Sequence, residues 1–301
     1  MYKSEMIKKI PQRQPKKKSR SNSPWMIALR RLFRDKTAMM GLYIIVFLIL
    51  ISVFAPIISP YDPIEDFNLS DAFQGPSMKY WFGTDWMGRD ILSRVLYGSR
   101  ISLTIGLASR IVTLSLGITL GALAGYFRGR VDMVIMRIVE IMDAFPNFLF
   151  AIAISVAIGR GLYTVFFALG FVGWSGMCRL IRGQVMAYRE SEFVEASRSL
   201  GASNLRIIFK EILPNCMAPV IISTTMGISN AIMAEAGLSF LGLGAQPPTP
   251  TWGSMMNFGR QYIWTEPHMV IFPGLAIVLT VYGFNLFGDG LRDVLDPRMK
   301  D

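Results

Sequence analysis

The stretch MMGLYIIVFLILISVFAPIIS, residues 39–59, contains no Asp, Glu, Lys or Arg over 21 positions. A helix rises about 1.5 Å per residue, so such a run crosses a hydrocarbon core of about 30 Å. A cleaved signal peptide is the competing interpretation, but nearly 40 residues precede the run and no small-x-small site follows it. The stretch therefore predicts a membrane-spanning helix.

Five further apolar stretches predict membrane spans along the rest of the chain. They cover residues 101–127, 133–158, 162–178, 212–242 and 269–288. The composition agrees with a membrane protein, since 52% of the residues are hydrophobic and 17% are charged. We therefore predict an all-α integral membrane protein with six spans, in which Pro146, Pro219 and Pro273 permit bends.

The basic residues predict which side of the membrane each connection faces. Of 31 Lys and Arg, 24 lie before span one, between spans two and three, between spans four and five, or after span six. Six lie in the other connections, and Arg110 lies within span two. The positive-inside rule then places both termini in the cytoplasm and residues 60–100 and 243–268 outside.

The two ends of the chain are predicted to be cytoplasmic. Residues 1–38 are expected to form a basic tail and a pre-membrane helix, and residues 289–301 a second tail. The lysines of the first tail, Lys16, Lys17 and Lys18, could contact anionic lipid, although a solvated tail is the simpler interpretation. The remaining core, residues 101–288, holds five spans.

Three side chains within the spans are candidates for a substrate path. An unpaired charge inside a membrane is costly, and such residues commonly face a water-filled path. Glu235 lies late in span five and Asp143 early in span three. Hydrogen bonding to the neighbouring backbone is the alternative for Glu235, and an interfacial ion pair is the alternative for Asp143. Ser175 in span four is a path or packing candidate.

Glycines recur every four residues in span two, at Gly117, Gly121 and Gly125. They share one face of the helix, so they would let a neighbouring helix approach closely. This spacing predicts tight helix packing rather than contact with substrate.

Catalytic functions are not favoured by the sequence. The sequence Gly173-Trp174-Ser175-Gly176 resembles the Gly-x-Ser-Gly of rhomboid proteases, but Ser175 would lie roughly 20 Å below the outer edge where His268 sits. A P-loop needs Gly-Lys, and the chain contains no such dipeptide. One histidine and two cysteines exclude a His-rich metal cluster and a disulfide framework.

Residues 189–214, called the 189–214 loop below, are too polar to span a membrane and too apolar for an ordinary linker. Two apolar faces follow one another at helical spacing: Phe193, Ala196, Ser197 and Leu200, then Leu205, Ile208, Phe209 and Ile212. Gly201 can break the helix between them, and Pro214 can stop the second. The pattern predicts a helix-turn-helix that lipid, the bundle itself or a cytoplasmic partner must cover.

The 189–214 loop also carries a resemblance to a known family. The sequence EASRSLG, residues 195–201, followed by Pro214, resembles the Glu-Ala-Ala loop of permease subunits in ATP-binding-cassette (ABC) importers. Ser197 replaces the usual second alanine, and Glu211 stands where an apolar residue is common.

Other segments resemble one branch of that family, the C-type (second) permeases for dipeptides, oligopeptides and nickel. These are GTD (83–85) and GRD (88–90) before span two, LSFLGLG (238–244) and QPPTPTWG (246–253) after span five, and LDPR (295–298) near the end.

The resemblance implies a type I ABC importer permease fold and a transport subunit rather than an enzyme. It implies a homologous permease as heterodimer partner, two ATPase subunits that bind ATP and Mg, and an extracytoplasmic solute-binding protein received by residues 60–100 and 243–268. No cofactor, metal or nucleic acid is expected for this chain. In the 189–214 loop, Glu195 would meet a basic group of an ATPase, with Ala196 and Ser197 packed against it.

Three further loop residues have implied roles in coupling. Gly201 would allow close backbone contact, and Leu213 and Pro214 would anchor the coupling helix to span five. The chain would form half of a membrane path for dipeptides or oligopeptides in a bacterial or archaeal cytoplasmic membrane. Nickel import is the nearest alternative. An ion-coupled secondary transporter, with Glu235 or Asp143 in ion coupling, is a further one.

Overall fold

The computed structural model describes residues 24–295 and contains no β-strand in that range. Its helices are α1 (Pro24–Leu32), α2 (Lys36–Ile58), α3 (Ile91–Phe127), α4 (Gly129–Asp143), α5 (Asn147–Ile158), α6 (Leu162–Tyr188), α7 (Glu192–Ser199), α8 (Asn204–Phe240), α9 (Trp252–Gly259) and α10 (His268–Leu295). The predicted basic tail with Lys16–Lys18, and Asp296, Pro297 and Arg298 of the C-terminal motif, lie outside the described residues.

Within residues 24–295, five helices are long and apolar enough to cross a membrane, namely α2, α3, α6, α8 and α10. The α4–α5 pair makes a sixth span when the two are counted together. This architecture confirms the predicted all-α membrane fold with six spans.

Span three is not the single run over residues 133–158 that the sequence predicted. α4 and α5 meet at 87° across residues 144–146. Pro146 has no N–H to donate, and its ring drives Phe145 out of the helical region, so α4 cannot continue into α5. The predicted span is therefore two helices joined at a sharp bend.

Span two begins ten residues before the predicted start at residue 101. Asp90 caps α3, since its carboxylate accepts hydrogen bonds from the backbone N–H and the hydroxyl of Ser93 at 2.7 and 2.6 Å. The segment predicted as an outer connection over residues 60–100 is therefore shorter, and its last ten residues belong to α3.

α3 packs along α6 through the predicted glycines. A Cβ atom at Gly117, Gly121 or Gly125 would lie 2.5–2.7 Å from an atom of α6. Two of the three atoms are backbone oxygens, of Cys178 and Arg182, which cannot move aside. The two helices can approach this closely only because these positions carry no side chain.

Residues 59–90 form a cap that is tied to α3 and α10 by buried polar groups. Arg89 donates from Nε to Asp85 at 2.8 Å, and Arg94 donates from Nη1 to the Pro63 carbonyl at 2.7 Å. His268, at the start of α10, places Nε2 3.2 Å from the Thr84 carbonyl oxygen. The cap is therefore fixed to the bundle.

Three carboxyl groups of this cap have shifted pKa values, and backbone hydrogen bonds from Glu65 and Ile64 lower the first, that of Asp62. A hydrogen bond from Lys79, and then one from Tyr80, lower the pKa of Asp71. Burial raises the pKa of Asp90, against the hydrogen bonds from Ser93. The cap therefore holds two stabilised carboxylates, Asp62 and Asp71, and a desolvated one at the start of α3.

Candidate functional site

The 189–214 loop begins with the short helix α7, which ends in a defined turn. The Gly201 N–H donates to the Arg198 carbonyl at 3.0 Å, and the Ala202 N–H donates to the Ser197 carbonyl at 3.1 Å. This is the Schellman arrangement, which needs a left-handed residue after the helix. Gly201 supplies it with φ of +80°. The predicted helix break at Gly201 is thus confirmed.

The loop is anchored to α3 and α6 by a buried apolar cluster. Val194 from α7 and Ile207, Ile208 and Ile212 from α8 are all 0% exposed and pack in one cluster with Ile181 and other residues of α3 and α6. This burial fixes the loop to the bundle, so a force applied to the loop reaches the membrane helices.

Two polar contacts reinforce this attachment. The Tyr126 hydroxyl at the end of α3 donates to Oδ1 of Asn204 at 2.9 Å. Arg128 pairs with Glu190 at 2.7 Å between Nη2 and Oε1. Both contacts join the end of α3 to the loop.

Pro214 does not stop the second helix, contrary to the sequence prediction. Residues Ile207–Ile212 form a π-helical turn, and Leu213–Cys216 form a 3₁₀ turn with Pro214 at its start. Proline is tolerated in a first turn because the missing N–H has no partner to lose there. The helix therefore runs on as α8 to Phe240 and connects the loop directly to span five.

Some residues of the apolar faces predicted for the loop are buried, and others are exposed. Ile208 and Ile212 point into the bundle, whereas other apolar residues face outward. These outward residues, called the apolar loop surface, are Phe193, Leu200, Leu205 and Phe209. Leu200 is 88% exposed and Leu205 is 61% exposed. Within the described residues nothing covers this surface.

The residues predicted to couple to an ATPase lie on or beside this surface. Glu195 and Ala196 are exposed on α7, and Ser197 is half-buried. A Cβ at Gly201 would meet nothing within 4 Å, so its backbone is open to a partner. Leu213 is buried and Pro214 is exposed, both at the junction with α8. The loop therefore exposes apolar, acidic and open backbone groups.

Asp143 and Ser175, two of the path candidates, are in contact. The Ser175 hydroxyl donates to Oδ1 of Asp143 at 2.8 Å, and Arg179 pairs with the same carboxylate. A groove of about 360 Å³ lies beside this pair on α4 and α6, lined by Asp132, Met133, Met136, Val139, Glu140, Arg179 and Arg182. Asp143 is therefore ion-paired in the structure, and its place in a substrate path stays a prediction.

Glu235, the third path candidate, is enclosed within the subunit. Its side chain is 0% exposed, and its Oε1 accepts a hydrogen bond from the Ser239 hydroxyl at 2.7 Å. The observed partner is a side chain rather than the neighbouring backbone, and the place of Glu235 in a substrate path stays a prediction.

A serine protease site is not formed. Ser175 lies on α6 and donates a hydrogen bond to Asp143 of α4. His268 lies at the start of α10, against Thr84 and Glu266. The described residues also contain no group of three His, Cys, Asp or Glu that could hold a metal ion.

Sequence patterns did not single out two residues that matter in the structure. Val194 is the inward residue of α7, although the pattern placed Phe193 and Leu200 on the apolar face. Arg110, counted only as a charge within span two, lies partly exposed in the middle of α3. Its position within an apolar run was the one signal available.

The described residues form a helical bundle with up to six membrane spans, and its 189–214 loop exposes apolar side chains. Residues 117–301 match the family described as the binding-protein-dependent transport system inner membrane component, and residues 23–76 match the N-terminal TM domain of oligopeptide transport permease C. The chain belongs to this family of ABC importer permeases, as a C-type subunit, and is a multi-pass protein of the bacterial inner membrane.

Curated relatives match nearly the whole chain. The dipeptide transport system permease protein DppC of Alkalihalophilus pseudofirmus is 48% identical over 92% of this chain and 91% of that protein. The glutathione transport system permease protein GsiD of Pectobacterium atrosepticum is 43% identical, covering 92% of both chains. The oligopeptide transport system permease protein OppC of Bacillus subtilis is 42% identical over 93% of this chain and 92% of that protein.

A solved structure supports the fold. A chain of the methionine ABC transporter MetNI in an inward-facing conformation aligns with a TM-score of 0.56 and 19% identity, over 68% of this chain and 97% of that chain. At this identity the likeness shows the fold alone, which is that of a type I ABC importer permease.

Proposed function

We propose that this subunit forms half of a membrane path for dipeptides or oligopeptides. The three relatives above are named for dipeptide, glutathione and oligopeptide transport, and each covers more than nine-tenths of this chain. The path would run between this subunit and a homologous permease. Both termini would lie in the cytoplasm, as the distribution of basic residues predicts.

The energy for transport would come from two ATPase subunits. This sequence has no Gly-Lys dipeptide with which to hold nucleotide phosphates, so the ATP and Mg would be bound by those partners. An extracytoplasmic solute-binding protein would deliver the peptide to the cap of residues 59–90 and to the connection between α8 and α10.

The observation that carries the coupling proposal is the apolar loop surface. Large exposed apolar residues on a loop that faces water indicate a partner site. Glu195 and Gly201 adjoin this surface, where a carboxylate can pair with a basic group and an open backbone permits close approach. Because the buried cluster under Val194 joins the loop to α3 and α6, closure of the ATPases would rock these helices as rigid elements.

Purification of the tagged chain from its native membrane in a mild detergent, followed by mass spectrometry, tests this proposal. Two ATPases and a second six-span permease should accompany it. The Glu195→Lys and Gly201→Arg variants should reach the membrane normally but lose peptide uptake. A chain recovered alone that transports in vesicles without ATP would refute the proposal.

A further inference from the structure

Arg110 places a cation near the middle of the membrane. It lies roughly 26 Å from either end of α3, at about 1.5 Å per residue. Its neighbours across the helix interfaces, Gly173 of α6 and Gly227 of α8, also lie well inside their helices. Transporters commonly bind substrate near this depth.

The Arg110 guanidinium occupies space that Gly227 leaves open, and it lies beside Gly173. A Cβ at Gly227 would lie 2.7 Å from Nη1 of Arg110, and a Cβ at Gly173 would lie 3.6 Å from the same atom. Any other residue at position 227 would therefore displace the guanidinium. The group is held between α3, α6 and α8, and the side chain remains partly exposed at the subunit surface.

This cation has no acidic partner within the described residues. The ion pairs in the same half of the bundle use other arginines, such as Arg128, Arg179 and Arg182. The Nε atom of Arg110 is buried and has no hydrogen-bond partner. An unpaired charge at this depth is expensive, so such residues usually face a partner or a water-filled path.

An exposed polar side chain near Arg110, that of Asn230, favours a wet surface over lipid. Asn230 is exposed three residues after Gly227, one helical turn along the same face of α8. Lipid-facing surfaces at mid-membrane rarely carry such groups.

We propose that Arg110 binds the C-terminal carboxylate of the peptide as it passes between the two permeases. This inference rests on the proposed peptide-import function. A guanidinium forms paired, charge-assisted hydrogen bonds with a carboxylate. Every unmodified peptide carries this carboxylate whatever its side chains, so the contact would recognise the backbone and accept many sequences.

Uptake by the complete importer in proteoliposomes tests the assignment, with a dipeptide and its C-terminal carboxamide as the two probes. The wild-type importer should take up the free acid faster than the amide. Arg110→Met should lower uptake of the acid by about tenfold or more, the effect expected when one charge-assisted hydrogen bond is lost. It should leave uptake of the amide within about twofold of the wild-type rate, since the amide offers no carboxylate to lose.

Comparing the acid-to-amide ratio between variants separates the preference set by Arg110 from the preference set by the solute-binding protein. The same binding protein serves every variant, so its own preference for the acid cancels when the acid-to-amide ratio is compared between variants. Arg100→Met removes an exposed arginine at the outer end of the same helix and should leave the ratio unchanged. Equal loss of both probes in Arg110→Met, or no loss, would overturn the assignment.

A labelling measurement covers the case in which Arg110→Met fails to assemble. Leu107→Cys introduces a thiol at an exposed position one turn from Arg110, while both native cysteines are buried. The free dipeptide should protect this thiol from alkylation more than the amide does. Two results would overturn the proposal: equal protection by both probes, or an Arg110→Met variant whose only defect is failure to bind the partner permease. Either result would indicate that Arg110 forms an ion pair with an acidic residue of the partner permease.

The proposed function fails in a different way. A wild-type importer that takes up neither probe would refute peptide import, and the assignment of Arg110 would fall with it. Uptake of both probes at equal rates by the wild type would leave peptide import standing and overturn the Arg110 assignment alone.

Discussion

Leu200→Ala should weaken binding of the ATPase subunits without destabilising the permease. Leu200 is 88% exposed, so its side chain contributes little to folding, and the stability should change by about 0.5 kcal/mol at most. The substitution removes three carbon atoms. If an ATPase covers them, at about 0.8 kcal/mol for each buried carbon, roughly 2.4 kcal/mol of binding is lost. This corresponds to about 50-fold weaker binding.

Val194→Ala is the matched control on the same helix. Val194 is 0% exposed, so its truncation leaves a cavity and should cost about 2 kcal/mol of folding stability. Titration of purified permease with ATPase gives the affinity, and thermal unfolding gives the stability. The reasoning fails if Leu200→Ala binds ATPase as the wild type does, or lowers the unfolding temperature as much as Val194→Ala.

Three other substitutions test the packing. Gly121→Val should prevent α3 from packing on α6, because a Cβ there would lie 2.5 Å from a backbone oxygen, and size-exclusion chromatography should show misfolded protein. Gly183→Val is the control: a Cβ at this position meets nothing within 4 Å, so the variant should elute as folded protein. Asp85→Asn leaves the buried Arg89 without its charged partner, so the free energy of unfolding should fall by about 3–5 kcal/mol and the unfolding temperature should drop. An unchanged unfolding temperature would contradict the importance of this buried ion pair. Glu235→Gln keeps a hydrogen-bond acceptor for Ser239 inside the subunit, so peptide uptake should stay within about twofold of wild type. Loss of most uptake would instead indicate that the carboxylate faces the substrate path.

The spans could be predicted because lipid imposes a simple rule on length and polarity. Residues 39–59 have no charge, and the helix found there, Lys36–Ile58, differs by three residues at its start. The same rule missed the first ten residues of α3, since Arg94 and Arg100 make that stretch polar. Its start depends on the Asp90 cap, which acts locally and leaves no hydropathy signal.

The bend in span three shows a second limit. Hydropathy treats residues 133–158 as one apolar run, and Pro146 indicates only that a bend is allowed. The 87° angle depends on how α4 and α5 pack on their neighbours. No residue spacing within the run records that packing.

The candidate site was predicted as a segment, while its orientation was not. The two helices and the break at Gly201 follow from spacing and from glycine's freedom at positive φ. Periodicity alone could not show that Val194 would be buried and Leu200 exposed, because α3 and α6 decide which face turns inward. For the same reason Glu235 could not be assigned to the path or the interior.

Peptide uptake into proteoliposomes that contain this subunit, its partner permease and both ATPases tests the central claim most directly. Uptake should require ATP on the side of the 189–214 loop and the solute-binding protein on the opposite side, and Glu195→Lys should abolish it. Uptake that proceeds without ATP and follows an imposed ion gradient would contradict the account.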